Sequence, residues 1–122
     1  MTETTGSFRH VLRVPYADID KLGLVYYANS FVYFEMARAA LLRDAGIPYT
    51  ELEDRGVMLP VVTAHCDYKS PSRYDDELVV ITRVLASRGV RIRMDYEIRR
   101  LEDGRGQKAE GDGDLICTGH TE

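Results

Sequence analysis

The segment Phe31 to Asp44 places the tightest constraint on how this chain can fold. Asn29 or Ser30 stands before it as an N-cap, and Gly46 followed by Pro48 stops it, so it reads as one long helix. Phe31, Phe34, Ala37, Leu41, Leu42 and Ala45 form a broad apolar stripe, and Val32, Met36, Ala39 and Ala40 widen it. A surface helix needs a much narrower apolar face. This helix must therefore be largely enclosed, and the rest of the chain offers strands to wrap it.

Phe8, His10, Leu12 and Val14 alternate with Arg9, Val11 and Arg13, the period of a half-buried strand, and Pro15 ends it for want of an amide donor. After the helix, Val57 to Tyr68 reads as a second strand and Leu78 to Ala86 as a third, with a hairpin turn at Ser87 to Gly89. The next segment has the cleanest alternation: Val90, Ile92, Met94, Tyr96 and Ile98 on one face, Arg91, Arg93, Asp95, Glu97 and Arg99 on the other. A polar Gly-rich loop, Glu102 to Gly113, precedes a last strand, Asp114 to Gly119. The order is β-α-β-β-β-β, an α+β arrangement of one long helix with one five-stranded antiparallel sheet. At 122 residues the chain makes one domain over 1–122, with 1–7 expected to be flexible.

The net charge of −4 and a pI near 5.4 argue against a general nucleic-acid or anionic-membrane binder. The longest uncharged stretch, Leu22 to Phe34, is too short and too polar to span a bilayer. The polar start, Met1 to Ser7, lacks the basic and apolar regions of a signal peptide. Cys66 and Cys117 read as free thiols of a cytoplasmic protein. With His10, His65 and His120 they are too scattered to argue for a metal site. His65 and Cys66 are neighbours in a strand, so their side chains diverge and do not form a nucleophile–base pair.

The chemistry-bearing stretch is Tyr16 to Asn29. Asp18 and Asp20 lie two residues apart in a Gly-containing turn, just ahead of a helix N-terminus whose unpaired amides and dipole suit an anion or a polarised carbonyl oxygen. A carboxylate held there can activate water or attack an activated acyl carbon. The same spacing is also that of an ordinary solvated turn with a charge near the dipole.

Asp18-x-Asp20-x-x-Gly23-x-Val25-Tyr26-Tyr27-x-Asn29, followed by an aromatic-rich helix with Glu35 and Arg38, resembles the 4-hydroxybenzoyl-CoA thioesterase family of hotdog-fold acyl-CoA thioesterases. The likeness continues through Leu59-Pro60-Val61-Val62, the Tyr68-Lys69-Ser70-Pro71 turn and Thr118-Gly119-His120, covering roughly residues 8 to 121. It implies a hotdog fold, a five-stranded sheet wrapped around the helix. By position, Asp20 matches the family's catalytic carboxylate, nucleophile or general base, and Tyr27 the residue whose backbone N–H polarises the thioester carbonyl. Asp18, Gly23 and Asn29 are supporting: a brace for the turn, a backbone conformation closed to side chains, and the N-cap. A related short-chain branch usually carries His at the position of Tyr27, so the tyrosine points toward aromatic acyl groups.

Tyr26, Phe31, Phe34, Met58 and Leu59 are candidates for an acyl pocket, although core packing accounts for apolar residues at these spacings equally well. The strip Arg88, Arg91, Arg93, Arg99 and Arg100 reads either as a solvated sheet face or as a source of phosphate contacts to coenzyme A. Arg88, Arg91 and Lys69 are the candidates for those contacts. The implied substrate is an acyl-CoA, hydrolysed without metal or redox cofactor. A non-catalytic acyl-thioester binding or assembly protein and an acyl carrier protein thioesterase are the alternatives. Thioester hydration ranks lower, because no histidine lies between His10 and His65. One sheet and one helix leave surfaces that 122 residues cannot cover, and the resemblance implies hotdog domains that pair through their sheets, hence a homodimer or a dimer of dimers, and a last strand cut short at 122.

Overall fold

The alternating N-terminal segment forms β1 (Phe8–Arg13), and the chain then turns through a short 3₁₀ segment, Tyr16–Asp18, into the long helix α1 (Asn29–Asp44). A second helix, α2 (Tyr49–Asp54), precedes β2 (Ala64–Tyr68), β3 (Glu77–Arg88), β4 (Arg91–Glu102) and β5 (Asp114–Thr121). The computed structural model describes residues 7–46, 49–56, 60–88, 91–111 and 113–122. The strands form one sheet in the order β1-β3-β4-β5-β2, antiparallel throughout, with α1 packed against it.

Several boundaries differ from the sequence reading, α1 starting at Asn29 and β5 running on to Thr121 among them. Helix α2 is absent from the sequence reading, in which Gly46 and Pro48 mark only a stop. A proline in that place is equally compatible with the start of a new helix, and Arg55 pairs with Glu51 at 2.6 Å across its turn. The second strand shrinks to Ala64–Tyr68. Residues 57–59 lie outside the described residues, Pro60 brings no donor, and the Val62 and Thr63 amides both bond the Glu122 carbonyl, at 2.7 and 3.1 Å. The β3–β4 hairpin is longer than expected, in register from Glu77 opposite Glu102 to Arg88 opposite Arg91. Register shifts at Val84/Ala86 and at Ile98/Arg99 add twist that helps the sheet curl toward the helix.

The alternation in β4 delivers what its pattern promised. Met94, Tyr96 and Ile98 are buried against α1, together with Leu12, Val14, Leu78, Val80, Ile116 and Cys117. From α1 the contribution is narrower than the sequence suggested. Ser30, Tyr33, Phe34, Ala37 and Arg38 are buried, whereas Val32 and Met36 remain 50% and 41% exposed and Ala45 is exposed. The expected enclosure is thus one-sided, since a single sheet can curl around only one side of a helix.

Phe34 seats the helix. Its ring stacks on Tyr96 at 4.4 Å between centroids and 7° between planes, and Phe31 meets it edge-on at 5.9 Å. This closeness requires glycine at 119. A Cβ there would collide with the His65 carbonyl and lie 2.7 Å from Cε2 of Phe34. Gly119→Ala is therefore expected to destabilise the fold by about 1–3 kcal/mol, the usual cost of overpacking, read as a lower midpoint in urea denaturation. An unchanged midpoint would show that the helix can lift without penalty.

Candidate active site

The turn between β1 and α1 is a closed loop built on Asp20. Ile19 bridges Val25, the Asp20 amide donates to the Leu24 carbonyl at 2.9 Å, and the Gly23 amide donates back to the Asp20 carbonyl at 3.0 Å. Gly23 sits at φ +79° with open space around it, so its role is backbone conformation and not close approach. One carboxylate oxygen of Asp20, Oδ1, accepts the Leu22 and Leu24 amides at 2.8 and 3.4 Å. Among the described residues Oδ2 has no partner. The side chain is anchored by one oxygen and offers the other.

Asp18 binds the loop to the helix. Its Oδ2 accepts the Tyr33 hydroxyl at 2.8 Å, and its carbonyl accepts the Tyr26 amide at 2.9 Å and the Asn29 side-chain amide at 3.2 Å. Asn29 is thus the first helical residue and not the N-cap. The cap position is Ala28, whose side chain has no acceptor, so no side-chain hydrogen bond caps α1. Tyr33, buried at 2% exposure, is a site residue that sequence reading missed. Its position three residues after Ser30, on the same helix face, was the available signal. Burial, then the bond to Asp18, pushes its phenol well above the ordinary value.

The loop docks on the segment after β2, where the Val25 amide donates to the Ser72 carbonyl at 2.8 Å. Between them lies a cleft of about 390 Å³ with Asp20, Leu24 and Tyr27 on one wall, Tyr68 to Ser72 on the other, and Ser30 and Ile116 between. The Tyr27 amide has no acceptor among the described residues. Its carbonyl accepts the Tyr68 hydroxyl at 2.6 Å and the Ser30 amide at 3.3 Å. Asp20, with one carboxylate oxygen free of partners among the described residues, and Tyr27, with its free amide just ahead of the helix, thus line one cavity. A larger concavity, about 710 Å³, lies around Arg73, Asp76, Arg100, Arg105 and Lys108, and of the residues singled out from the sequence it holds Arg100 of the arginine strip.

The remaining sequence candidates scatter. Phe34 is core, held there by its helix position facing the sheet, and neither it, Phe31 nor Tyr26 lines the cleft. Tyr26 is half-exposed against Tyr27, 4.8 Å between rings. Met58 and Leu59 lie outside the described residues. Lys69 lines the cleft, its amide bonded to the Ile116 carbonyl at 2.8 Å. Arg88 and Arg91 face each other in register at the hairpin tip, their side chains outside the described residues. The run from Val80 to that tip is roughly 25 Å at the ordinary strand rise, so within one chain they are far from the cleft. Arg93 pairs with Asp95 and Arg99 with Glu97, each at 3.1 Å, and Arg100 lies 3.3 Å from Asp76 and 3.1 Å from Asp114. These three arginines are engaged with carboxylates of their own chain.

His65 and Cys66 diverge as adjacent strand residues must. His65 bonds Asp67 at 3.0 Å and stacks on His120 at 5.2 Å, whereas Cys66 packs against the core. Cys66 and Cys117 are free thiols. Among the described residues no group of three or more His, Cys, Asp or Glu is placed to hold a metal ion, and no helix is long and apolar enough to cross a membrane.

The Asp18 brace makes a prediction. Tyr33→Phe removes a bond to a carboxylate and is expected to cost about 1.5–3 kcal/mol. The folded-state value of the Tyr33 phenol is raised above the ordinary 10.0, so its contribution is complete below pH 10 and fades as pH rises through the folded value. The stability gap between wild type and variant, measured in urea, should hold through neutral pH and close under alkaline conditions.

Residues 22–107 match the thioesterase superfamily. YneP of Bacillus subtilis is 38% identical over 87 residues, 71% of this chain and 63% of its own length, so the chain spans less than two thirds of that relative. The acyl-CoA thioester hydrolase YbgC of Escherichia coli O6:H1 is 31% identical over 99 residues, 81% of this chain and 74% of that one. Among solved structures, the DHNA-CoA thioesterase of Staphylococcus aureus superimposes with a TM-score of 0.81 at 28% identity, covering 94% of this chain and 70% of the other. The 4-hydroxybenzoyl-CoA thioesterase of Pseudomonas sp. strain CBS-3 gives 0.80 at 23% identity, over 94% and 81%, a likeness of fold. The helix on its five-stranded antiparallel sheet is the hotdog fold.

Proposed function

The chain belongs to the thioesterase superfamily, and from that premise we propose that it hydrolyses an acyl-CoA thioester to a carboxylic acid and free CoA, with Asp20 as the reacting carboxylate. The observation that carries this is the half-anchored Asp20. Oδ1 is fixed by two amides, Oδ2 has no partner among the described residues, and Asp20 lines the same cleft as Tyr27, whose amide has no acceptor among the described residues. Removing one donor that polarises a reacting carbonyl typically costs about 10²–10³ in rate, which sets the scale of what the Tyr27 amide supplies.

Two routes conserve atoms. As nucleophile, Asp20 Oδ2 bonds to the thioester carbon, the C–S bond breaks, the CoA thiolate takes a proton from water, and a second water opens the acyl-aspartyl anhydride. As general base, Asp20 takes a proton from water as the water oxygen bonds to that carbon, and the proton passes to the departing thiolate. Single-turnover hydrolysis in ¹⁸O-water separates them, because only the first route places label in Asp20. Neither route calls for a metal or a redox cofactor.

The aromatic cleft wall supports an aromatic acyl group as the substrate class. Tyr27 and Tyr68, with ring centroids 6.4 Å apart and edge-to-face, favour an aromatic acyl group. For the CoA phosphates, Lys69 in the cleft wall and Arg73 just beyond it are the near cations, and Arg88 and Arg91 can serve only from a second copy. A second copy is also what the uncovered apolar residues Val32, Met36, Val61 and Val62 call for, so the working unit is a homodimer or a dimer of dimers. A CoA ester substrate and free thiols suit a cytoplasmic protein.

Thiol release followed with 5,5′-dithiobis(2-nitrobenzoate) across benzoyl-, phenylacetyl-, short- and long-chain acyl-CoAs, with acyl carrier protein esters in parallel, tests the reading. Turnover of an aromatic acyl-CoA is expected, and Asp20→Asn should lower kcat by about 10²–10⁴. Binding without turnover would replace hydrolysis by a non-catalytic acyl-thioester binding role, and near-normal turnover by Asp20→Asn would remove Asp20 from the reaction.

A further inference from the structure

Helix α1 begins without a side-chain cap, although the amides at its start are the ones a thioester carbonyl would meet. An uncapped first turn is the part of a helix that frays most readily. Donors that act on a reacting atom must nevertheless be held within about 0.5 Å of their working positions. Something outside the helix has to hold this turn.

Two peptide groups are fixed by their carbonyls and left open at their amides. The Tyr26 carbonyl accepts the Asn29 amide at 2.9 Å. The Tyr27 carbonyl accepts the Ser30 amide at 3.3 Å and, more closely, the Tyr68 hydroxyl at 2.6 Å. The amides of Tyr27 and Ala28 have no acceptor among the described residues. Tyr68 belongs to the sheet: its Cα is in register with Cys117, and the two residues after it bond the Ile116 carbonyl at 2.8 and 3.1 Å. The Tyr68 hydroxyl therefore joins the sheet edge to the uncapped turn.

We propose that Tyr68 is a positioning residue: its hydroxyl clamps the Tyr27–Ala28 peptide so that the open amides at the start of α1 keep one orientation toward the substrate carbonyl, a role that rests on the thioesterase reading above. Donation to the Tyr27 carbonyl also polarises the same peptide and strengthens the Ala28 N–H as a donor. Partial desolvation, with the Cys66 thiol beside it, pushes the Tyr68 phenol up to about 12, so the hydroxyl keeps its proton near neutral pH. The ring lines the cleft, yet the hydroxyl is spent on the backbone, so its contribution is to geometry and not to proton transfer.

Tyr68→Phe keeps the ring and removes the clamp. The expected result is a fall in kcat of about 10–100-fold, with KM and the melting temperature near wild type. A direct readout uses benzoyl-CoA labelled with ¹³C at the carbonyl, bound to Asp20→Asn protein. Its carbonyl stretch should move to lower frequency on binding, and adding Tyr68→Phe should return it toward the free value. An unchanged kcat together with an unchanged bound stretch would overturn the proposal. Wild-type protein that shifts the stretch but never turns over would instead remove the hydrolase reading, while loss of the shift in Tyr68→Phe would still support the clamp.

Discussion

The stacking of Phe34 on Tyr96 above Gly119 is the contact on which the rest of the structure depends. It brings the helix axis close to the sheet, and only a residue without Cβ at 119 allows that closeness. Once the helix is down, Tyr33 is carried into the interior with its hydroxyl at Asp18, and the start of α1 is set against the end of β2. The Asp20 loop then closes between two elements whose separation is already fixed. A dense core transmits such placement with little slack.

The two aspartates, indistinguishable by type and nearly by position, have divided roles. Asp18 turns inward, where a buried tyrosine and the helix's first side chain use its carboxylate and carbonyl. Asp20 turns into its own loop and keeps one oxygen for the cleft. The spacing showed only that both stood ahead of a helix start. Their division rests on Tyr33, a residue fifteen positions further on than Asp18 that the apolar stripe does not include and whose hydroxyl reaches the Asp18 carboxylate.

Much of the fold was legible. Period-two alternation marked β1 and β4, the β3–β4 hairpin was recognised though underestimated in length, and the long helix was placed to within two residues at its start. The errors share a physical origin. Pro48 and Pro60 are ambiguous signals, compatible with a stop or with a start. Asn29 has the right chemistry for a cap but was drawn one position into the helix by the Asp18 carbonyl. Breadth of apolar character on α1 was read as enclosure by the chain's own sheet, whereas Val32 and Met36 stay exposed on the helix, on a side that one sheet has no means of covering. The arginine strip divides in the same way: Arg93–Asp95 and Arg99–Glu97 join residues two apart on one face of β4, a spacing already present in the sequence, whereas the contacts of Arg100 with Asp76 and Asp114 depend on the loop before β3 and on the neighbouring strand.

By itself the sequence determined the class of fold and the place of the chemistry, because both rest on local patterns: strand and helix periods, and a Gly-containing acidic turn ahead of a helix. Tertiary structure decided which aspartate lines the cleft, which aromatic residues are core and which line the cleft, and that the hairpin arginines stand at the far end of the sheet. It also supplied the one contact no spacing could suggest, a β2 tyrosine holding the first turn of α1. Such relations join residues tens of positions apart, and they exist only once the sheet has brought those residues together.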